Sequence, residues 1–201
     1  MDPHFDFASA AHALATVVAG IADDQLDAPT PCADTTVGAV LAHVVGLTEA
    51  FRQAATKEAV GRSVPPSLDD ALAADWRTLI PARLDALTTA WRNPAAWDGD
   101  TEAGGVIMPA AVMAIVALDE VTIHAWDLAA ATGQTLRVDP GYLPILLEFL
   151  SETDPSGTPG LFGPVVEVAA DAPDLDRLLG LTGRDPGWQP AQAGVREVSS
   201  R

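Results

Sequence analysis

Four long segments of this chain repeat their apolar residues at helical spacing, and this pattern limits the folds that the chain can adopt. The segments run from about Asp6 to Ile21, Thr36 to Thr56, Ser67 to Trp91 and Pro109 to Thr132. Their apolar residues recur three and four positions apart, which is typical of helices that bury one face. Helices of this kind bury those faces best against one another. We therefore predict a mainly all-α fold built on an antiparallel four-helix bundle.

Capping chemistry predicts where three of these helices begin or end. A polar, proline-containing stretch precedes the second helix, and Asp34 or Thr35 is its expected N-cap residue. Ser67 and the aspartates that follow it are typical of the capped, acidic first turn of a helix, here the third. Gly133 stands where a glycine commonly ends a helix, directly after the fourth.

Beyond the fourth helix, short apolar segments alternate with loops rich in proline and glycine. We predict a fifth helix from Tyr142 to Glu152, a short strand from Val165 to Ala169 and a last helix from Pro173 to Leu181. Earlier in the chain, the segment from Asn93 to Met108 is either a hairpin or a long loop. The predicted organisation is a bundle at 1–135, a small C-terminal α/β extension packed on it at 136–188, and a flexible tail at 189–201.

Composition argues against several classes of function. The net charge of −17, with only 11 Lys and Arg, would repel a phosphate backbone, so we do not expect nucleic-acid binding. The single cysteine, Cys32, rules out an internal disulfide and is consistent with a reducing compartment. The longest apolar run, Met108 to Leu118, is too short to span a bilayer. We therefore expect a cytoplasmic protein without membrane association.

Three residues with metal-binding side chains lie on two of the apolar helices. Glu120 and His124 are four positions apart, so both leave the same face of the fourth helix, with Cβ atoms about 6 Å apart. His43 lies on the second helix and can supply a third ligand if the two helices pack face to face. Two imidazoles and one carboxylate would leave a coordination position open, as in catalytic zinc sites. Iron(II) also accepts this set, so ligand identity alone does not select the metal.

Three ordered blocks of sequence resemble those of one protein family. The first comprises Pro29 to Cys32 with the nearby Leu41 to His43, the second runs from Glu120 to Ala129, and the third from Leu181 to Pro186. Together they resemble actinobacterial proteins of the mycothiol-dependent maleylpyruvate isomerase type, within the broader DinB-like metalloprotein superfamily. The resemblance covers nearly the whole chain.

The resemblance implies a four-helix bundle with a divalent metal, usually zinc, bound by a histidine of the second helix and a glutamate and histidine of the fourth. Those positions correspond to His43, Glu120 and His124. Zinc is the expected ion, with nickel or iron as alternatives, and mycothiol is the implied co-substrate. Proteins of this group often pair, so a homodimer is also an expectation.

Three further residues have roles that the sequence leaves open. Asp127, one turn beyond His124, is expected either to accept a hydrogen bond from a ligand imidazole or substrate, or to be a structural carboxylate. Arg184 is expected to pair with Asp185 or Asp176, with binding of a substrate carboxylate as the alternative. Cys32 has no basic neighbour in sequence and is expected to be a packed loop residue rather than a nucleophile.

These observations predict a metal-dependent enzyme that uses mycothiol for transfer or isomerisation on a small electrophilic substrate. A coordinated thiol is deprotonated at neutral pH, which makes it a nucleophile. Two alternatives remain: a metal-dependent hydrolase, in which the open position activates water, and a non-catalytic metal-binding helical module. Because Glu120 is a candidate ligand, no separate catalytic base is assigned.

Overall fold

The computed structural model describes residues 4–65, 71–157 and 162–190, and its main body is a set of four long helices. They are α1 (Ala8–Ala19), α2 (Val37–Thr56), α3 (Trp76–Trp91) and α4 (Ala110–Ala131). Helices α1 and α2 each pack against both α3 and α4, so that all four enclose one hydrophobic core. The predicted mainly all-α, four-helix architecture is confirmed.

Helix α4 is largely buried because its sequence is apolar on nearly every face. Ala117, Leu118 and Ile123 point in three different directions around the helix and are all buried, as expected for an interior helix. The helix ends before Gly133, whose φ of 70° confirms the predicted glycine termination. The polar side chains of α4 are therefore held inside the protein. No helix in the described ranges is long and apolar enough to cross a membrane.

Helix α2 is capped by Thr36, and the prediction of Asp34 or Thr35 as its N-cap residue is wrong. The Thr36 backbone is extended, and its hydroxyl accepts a hydrogen bond from the Ala39 amide at 3.2 Å. Thr35 instead donates its hydroxyl to the Cys32 carbonyl at 2.6 Å. The Thr35 hydroxyl is therefore used in the preceding loop, and the next residue caps the helix.

Helix α3 begins at Trp76, later than the predicted start at Ser67. Residues 71–75 are described and are not helical, whereas Ser67 and the two aspartates after it lie outside the described residues. Leu72 continues the apolar period but packs against the core from a non-helical segment. The apolar pattern therefore predicted correctly that Leu72 packs against the core, but it overestimated the length of the helix.

The segment between α3 and α4 is a hairpin, which settles the choice between hairpin and loop. Strand β1 (Asp100–Ala103) pairs in antiparallel register with β2 (Val106–Pro109). Gly104 and Gly105 form the turn with φ of 58° and 77°, values that glycine adopts without strain. Lys57, just after α2, donates to the carbonyl of Asp98 at 2.7 Å. The hairpin is thereby attached to the C-terminal end of α2.

The C-terminal extension contains α5 (Leu143–Phe149) and α6 (Asp174–Leu181), which pack against each other, and α5 also packs against α4. The predicted strand from Val165 to Ala169 is not formed. Its Val166 amide donates to the Gly180 carbonyl of α6 at 2.9 Å, so the segment is held by a helix rather than by a second strand. The proposed domain limits stay predictions, and residues 191–201 of the expected tail lie outside the described residues.

Candidate metal centre

The packing of α2 against α4 brings His43, Glu120 and His124 together in the core. One candidate ligand atom from each residue lies within 4.8 Å of the other two. Oε2 of Glu120 is 3.1 Å from Nε2 of His124 and 3.6 Å from Nε2 of His43. The two imidazole rings are nearly perpendicular, at 80°, with centroids 5.1 Å apart. Three residues that are far apart in sequence thus converge on one point.

These distances fit a divalent ion. Ligand bonds of about 2.0–2.1 Å in a tetrahedral zinc site place neighbouring ligand atoms about 3.3 Å apart, close to the observed 3.1 and 3.6 Å. Oε2 of Glu120 is buried and makes no hydrogen bond to a described residue. A buried carboxylate oxygen without a partner is costly, and a cation would satisfy it. The three residues could therefore hold a metal and leave a fourth position open.

The electrostatics of the cluster favour a positive charge at the same point. Burial raises the pKa of Glu120, but the imidazoles of His124 and His43 lower it by more, and the net pKa lies below the usual range of a glutamate. Burial lowers the pKa of His124, but its contacts with the Asp127 and Glu120 carboxylates outweigh burial and raise it to about 10. The carboxylates of Glu120 and Asp127 thus stabilise a positive charge at this point, and a divalent ion can supply that charge.

Asp127 connects the cluster to the C-terminal extension. Its Oδ2 lies 3.0 Å from Nδ1 of His124 and accepts a hydrogen bond from Nη2 of Arg184 at 3.0 Å. Nε of Arg184 donates to Oδ1 of Asp127 at 3.3 Å, and Nη1 donates to the Thr182 carbonyl at 2.8 Å. Asp127 is fully buried. This contact orients the His124 ring with Nε2 towards Glu120, as carboxylates commonly do for metal-binding histidines.

The expected ion pair of Arg184 with Asp185 or Asp176 does not form within the described part of the chain. Arg184 pairs with Asp127 instead, 57 residues earlier. The tight turn at Gly183, with φ of 80°, directs the arginine inward rather than along its own segment. A partner this distant leaves no local pattern, so the sequence favoured the nearer aspartates.

A cavity of about 690 Å³ opens onto the candidate metal centre. His43, Glu120 and His124 form part of its wall, together with Arg184 and Cys32. The sequence interpretation treated Cys32 as a packed loop residue and did not predict that it lines a cavity. The basic residue that shares the cavity, Arg184, lies 152 positions later in the sequence, so no local pattern indicated it. Leu47 and Phe51 follow His43 at helical spacing, a signal that could have predicted the cavity wall on α2.

Asp119, next to Glu120 on α4, is a buried carboxyl group that the sequence interpretation did not single out. It is 2% exposed, and its Oδ1 has no hydrogen-bond partner in the described ranges. Burial and the nearby Glu120 carboxylate together raise the pKa of Asp119 to about 8, against the opposing effect of Arg184. Asp119 is therefore a protonated acid at neutral pH.

We expect Asp119→Asn to make the stability of the protein less dependent on pH. Because the pKa of Asp119 is higher in the folded protein, the folded state holds a proton that the unfolded chain releases between about pH 4 and 8. The free energy of unfolding of the wild type should therefore fall as the pH rises through this range. Urea unfolding of both proteins at pH 5, 7 and 9 measures the effect. A constant difference between the two proteins across this range would contradict the assignment.

The fold and the cluster together define a class of protein, namely a helical bundle with a candidate metal centre between two of its helices. Residues 7–129 match the family model of the mycothiol maleylpyruvate isomerase N-terminal domain. The matched region includes α1 to α3, the hairpin and nearly all of α4, and contains all three residues of the cluster. The chain therefore belongs to this family, as its sequence blocks predicted.

Known relatives agree with this assignment. Two uncharacterized proteins of Mycobacterium tuberculosis, MT0763 of strain CDC 1551 / Oshkosh and Rv0738 of strain ATCC 25618 / H37Rv, are each 33% identical over 151 residues, covering 70% of this chain and 72% of theirs. The crystal structure of the mycothiol-dependent maleylpyruvate isomerase shares the fold, with a TM-score of 0.56 and 18% identity. A variant of that isomerase gives a TM-score of 0.55. The match covers 70% of this chain and 65% of the isomerase.

Proposed function

We propose that this protein is a zinc-dependent enzyme that uses a low-molecular-weight thiol, mycothiol, for transfer or isomerisation on a small electrophilic substrate. The observation that carries the proposal is the convergence of His43, Glu120 and His124 at the wall of a large cavity. Membership in a family named for an isomerase supports the prediction that the chain is an enzyme. The relatives with the higher identity are uncharacterized, so the reaction itself is proposed from the site.

The proposed chemistry uses the open position of the site. A divalent ion there would lower the pKa of a coordinated thiol and supply a thiolate at neutral pH. The sulfur lone pair of that thiolate would add to an electrophilic carbon and form a C–S bond, while the electrons of the attacked π bond would move to the adjacent atoms of the substrate. Transfer is complete when this C–S bond is retained and the anionic adduct takes up a proton, which balances the proton that the thiol released on becoming a thiolate. Rotation of the adduct followed by loss of the thiolate is isomerisation.

The residues around the cluster have separate tasks in this proposal. His43, Glu120 and His124 would bind the ion, and Asp127 holds the His124 ring through Nδ1 at 3.0 Å. Arg184 fixes Asp127 with two hydrogen bonds and also lines the cavity, where its remaining N–H groups can face a substrate. The cavity in which the reaction would take place lies between α2, α4 and the C-terminal extension.

A thiol-dependent turnover assay tests the proposal. We expect zinc-loaded protein with mycothiol to consume electrophiles from a panel and to give thiol adducts or isomers that mass spectrometry and chromatography identify. His43→Ala should lose this activity, whereas His12→Ala, which removes an exposed histidine of α1, should keep it. Equal activity in His43→Ala, or no turnover of any electrophile, would contradict the proposal. Turnover without the thiol would favour the hydrolase alternative.

A further inference from the structure

The cavity has two unlike ends on either side of the candidate metal centre. Cys32, Thr182 and Arg184 form one end, where a loop before α2 meets the segment after α6. In the other direction the cavity follows α2 towards its C-terminus and α4 towards its N-terminus, where residues of the β-hairpin line it. The groups that can donate hydrogen bonds are therefore concentrated near the metal centre and the first end.

The second end is an apolar arm, defined by Leu47, Phe51, Met108, Met113 and Val116. On α2, Phe51 lies eight residues beyond His43, which places it about 12 Å along the helix. On α4, Met113 lies seven residues before Glu120, about 10 Å along the helix in the same direction in space. The arm is long enough for an extended group of several carbon atoms whose head lies at the metal centre.

The described lining of the cavity contains few positively charged side chains that could bind a second carboxylate. Among the described residues that line it, Arg184 is the only lysine or arginine. Its charge is matched by Asp127, to which it donates two hydrogen bonds at the polar end, away from the apolar arm. The neighbouring sequence segments 66–70 and 158–161 also contain no lysine or arginine. A carboxylate placed in the arm would therefore lose its hydration without gaining a partner.

We propose that this protein selects substrates whose distal part is uncharged and apolar and rejects those that carry a second carboxylate there; this inference names the substrate class of the proposed function and rests on it. The metal centre and Arg184 receive the polar, reactive head, and the apolar arm receives the tail. Each buried methylene contributes ~0.8 kcal/mol, which corresponds to about a fourfold gain in affinity. Specificity then comes from apolar burial in the arm combined with the cost of desolvating an unpaired charge.

Binding of saturated acids to zinc-loaded protein tests this inference without any thiol reaction. Hexanoate and adipate share one carboxylate head and differ at the far end, where hexanoate has a methyl group and adipate a second carboxylate. We expect calorimetry to show hexanoate binding more than about tenfold tighter than adipate, and affinity rising about fourfold per methylene from butanoate to hexanoate. Equal affinities for hexanoate and adipate, or no gain with chain length, would overturn the inference.

A charge introduced into the arm provides the matched test. Val116→Lys places an ammonium group in the arm, so we expect it to weaken hexanoate binding and strengthen adipate binding, each by about tenfold. Ile115→Lys changes a neighbouring half-buried residue of α4 that does not line the cavity, and should behave as the wild type. Circular dichroism checks that both variants fold. If Val116→Lys does not fold, the binding of the acids to the wild-type protein still tests the inference.

The two proposals can fail separately. If the acids show the expected preferences and no electrophile reacts with mycothiol, the thiol chemistry fails and the cavity selectivity remains. If mycothiol turnover is found and adipate binds as well as hexanoate, the selectivity fails and the thiol chemistry remains.

Discussion

His43→Ala is expected to lower the affinity of the protein for zinc by more than about 100-fold. Removal of an outer partner of a metal ligand already costs about 10- to 100-fold, and this variant removes one of the three protein ligands. His43 is the only ligand of the cluster that α2 supplies, so the ion would retain only Glu120 and His124, both on one helix. Competition with a chromophoric chelator measures the affinity, and elemental analysis gives the metal content per chain.

The matched control for this change is His12→Ala. His12 is exposed on α1 and lies outside the cluster, so its removal should leave zinc affinity within about twofold of the wild type. An unchanged affinity in His43→Ala would show that zinc binds elsewhere. Loss of binding in both variants would show an effect of lost stability rather than of a lost ligand, and thermal unfolding of each variant separates these two causes.

Asp127→Ala is expected to destabilise the protein by about 3–5 kcal/mol, the range found when one partner of a buried ion pair is removed. Arg184 is only 7% exposed and would be left with a buried charge and no carboxylate. Zinc affinity should fall about 10- to 100-fold as well, because His124 would lose the contact that orients its ring. Urea unfolding and chelator competition measure the two effects. Asp85→Ala, at an exposed position of α3, is the control and should change neither.

The double variant Asp127→Ala/Arg184→Met separates the two roles of Asp127. Removal of both charges leaves no unpaired ion, so most of the lost stability should return. Zinc affinity should stay low, because methionine cannot replace the contact to Nδ1 of His124. Recovery of zinc affinity together with stability would show that Asp127 acts on the site only through the stability of the fold.

The bundle and its three candidate ligands could be predicted because their signals are local. The apolar period of α2 and α4 shows which faces are buried, and a glutamate and histidine four positions apart on a buried helix must face the same way. His43 completes the cluster because α2 packs against α4, as adjacent helices of a four-helix bundle do. These inferences require only the regularity of helices.

The features that the sequence did not predict depend on contacts between distant segments. Arg184 reaches Asp127 across 57 residues. The hairpin and the C-terminal extension also line the cavity, and no periodic pattern places either of them on the bundle. The segment from Val165 to Ala169 has the composition of a strand, yet it pairs with no strand in the described part of the chain and is held by α6 instead. Strand formation depends on tertiary context, which a single segment does not reveal.

We propose that the cluster of His43, Glu120 and His124 binds a metal whose open position accepts the thiol. Cobalt(II) in place of zinc tests this most directly, because its absorption spectrum reports both coordination and sulfur ligation. We predict that mycothiol added to the cobalt protein gives a near-ultraviolet sulfur-to-cobalt charge-transfer band that saturates at one thiol per chain and is absent in His43→Ala. An unchanged cobalt spectrum at saturating mycothiol would contradict the account.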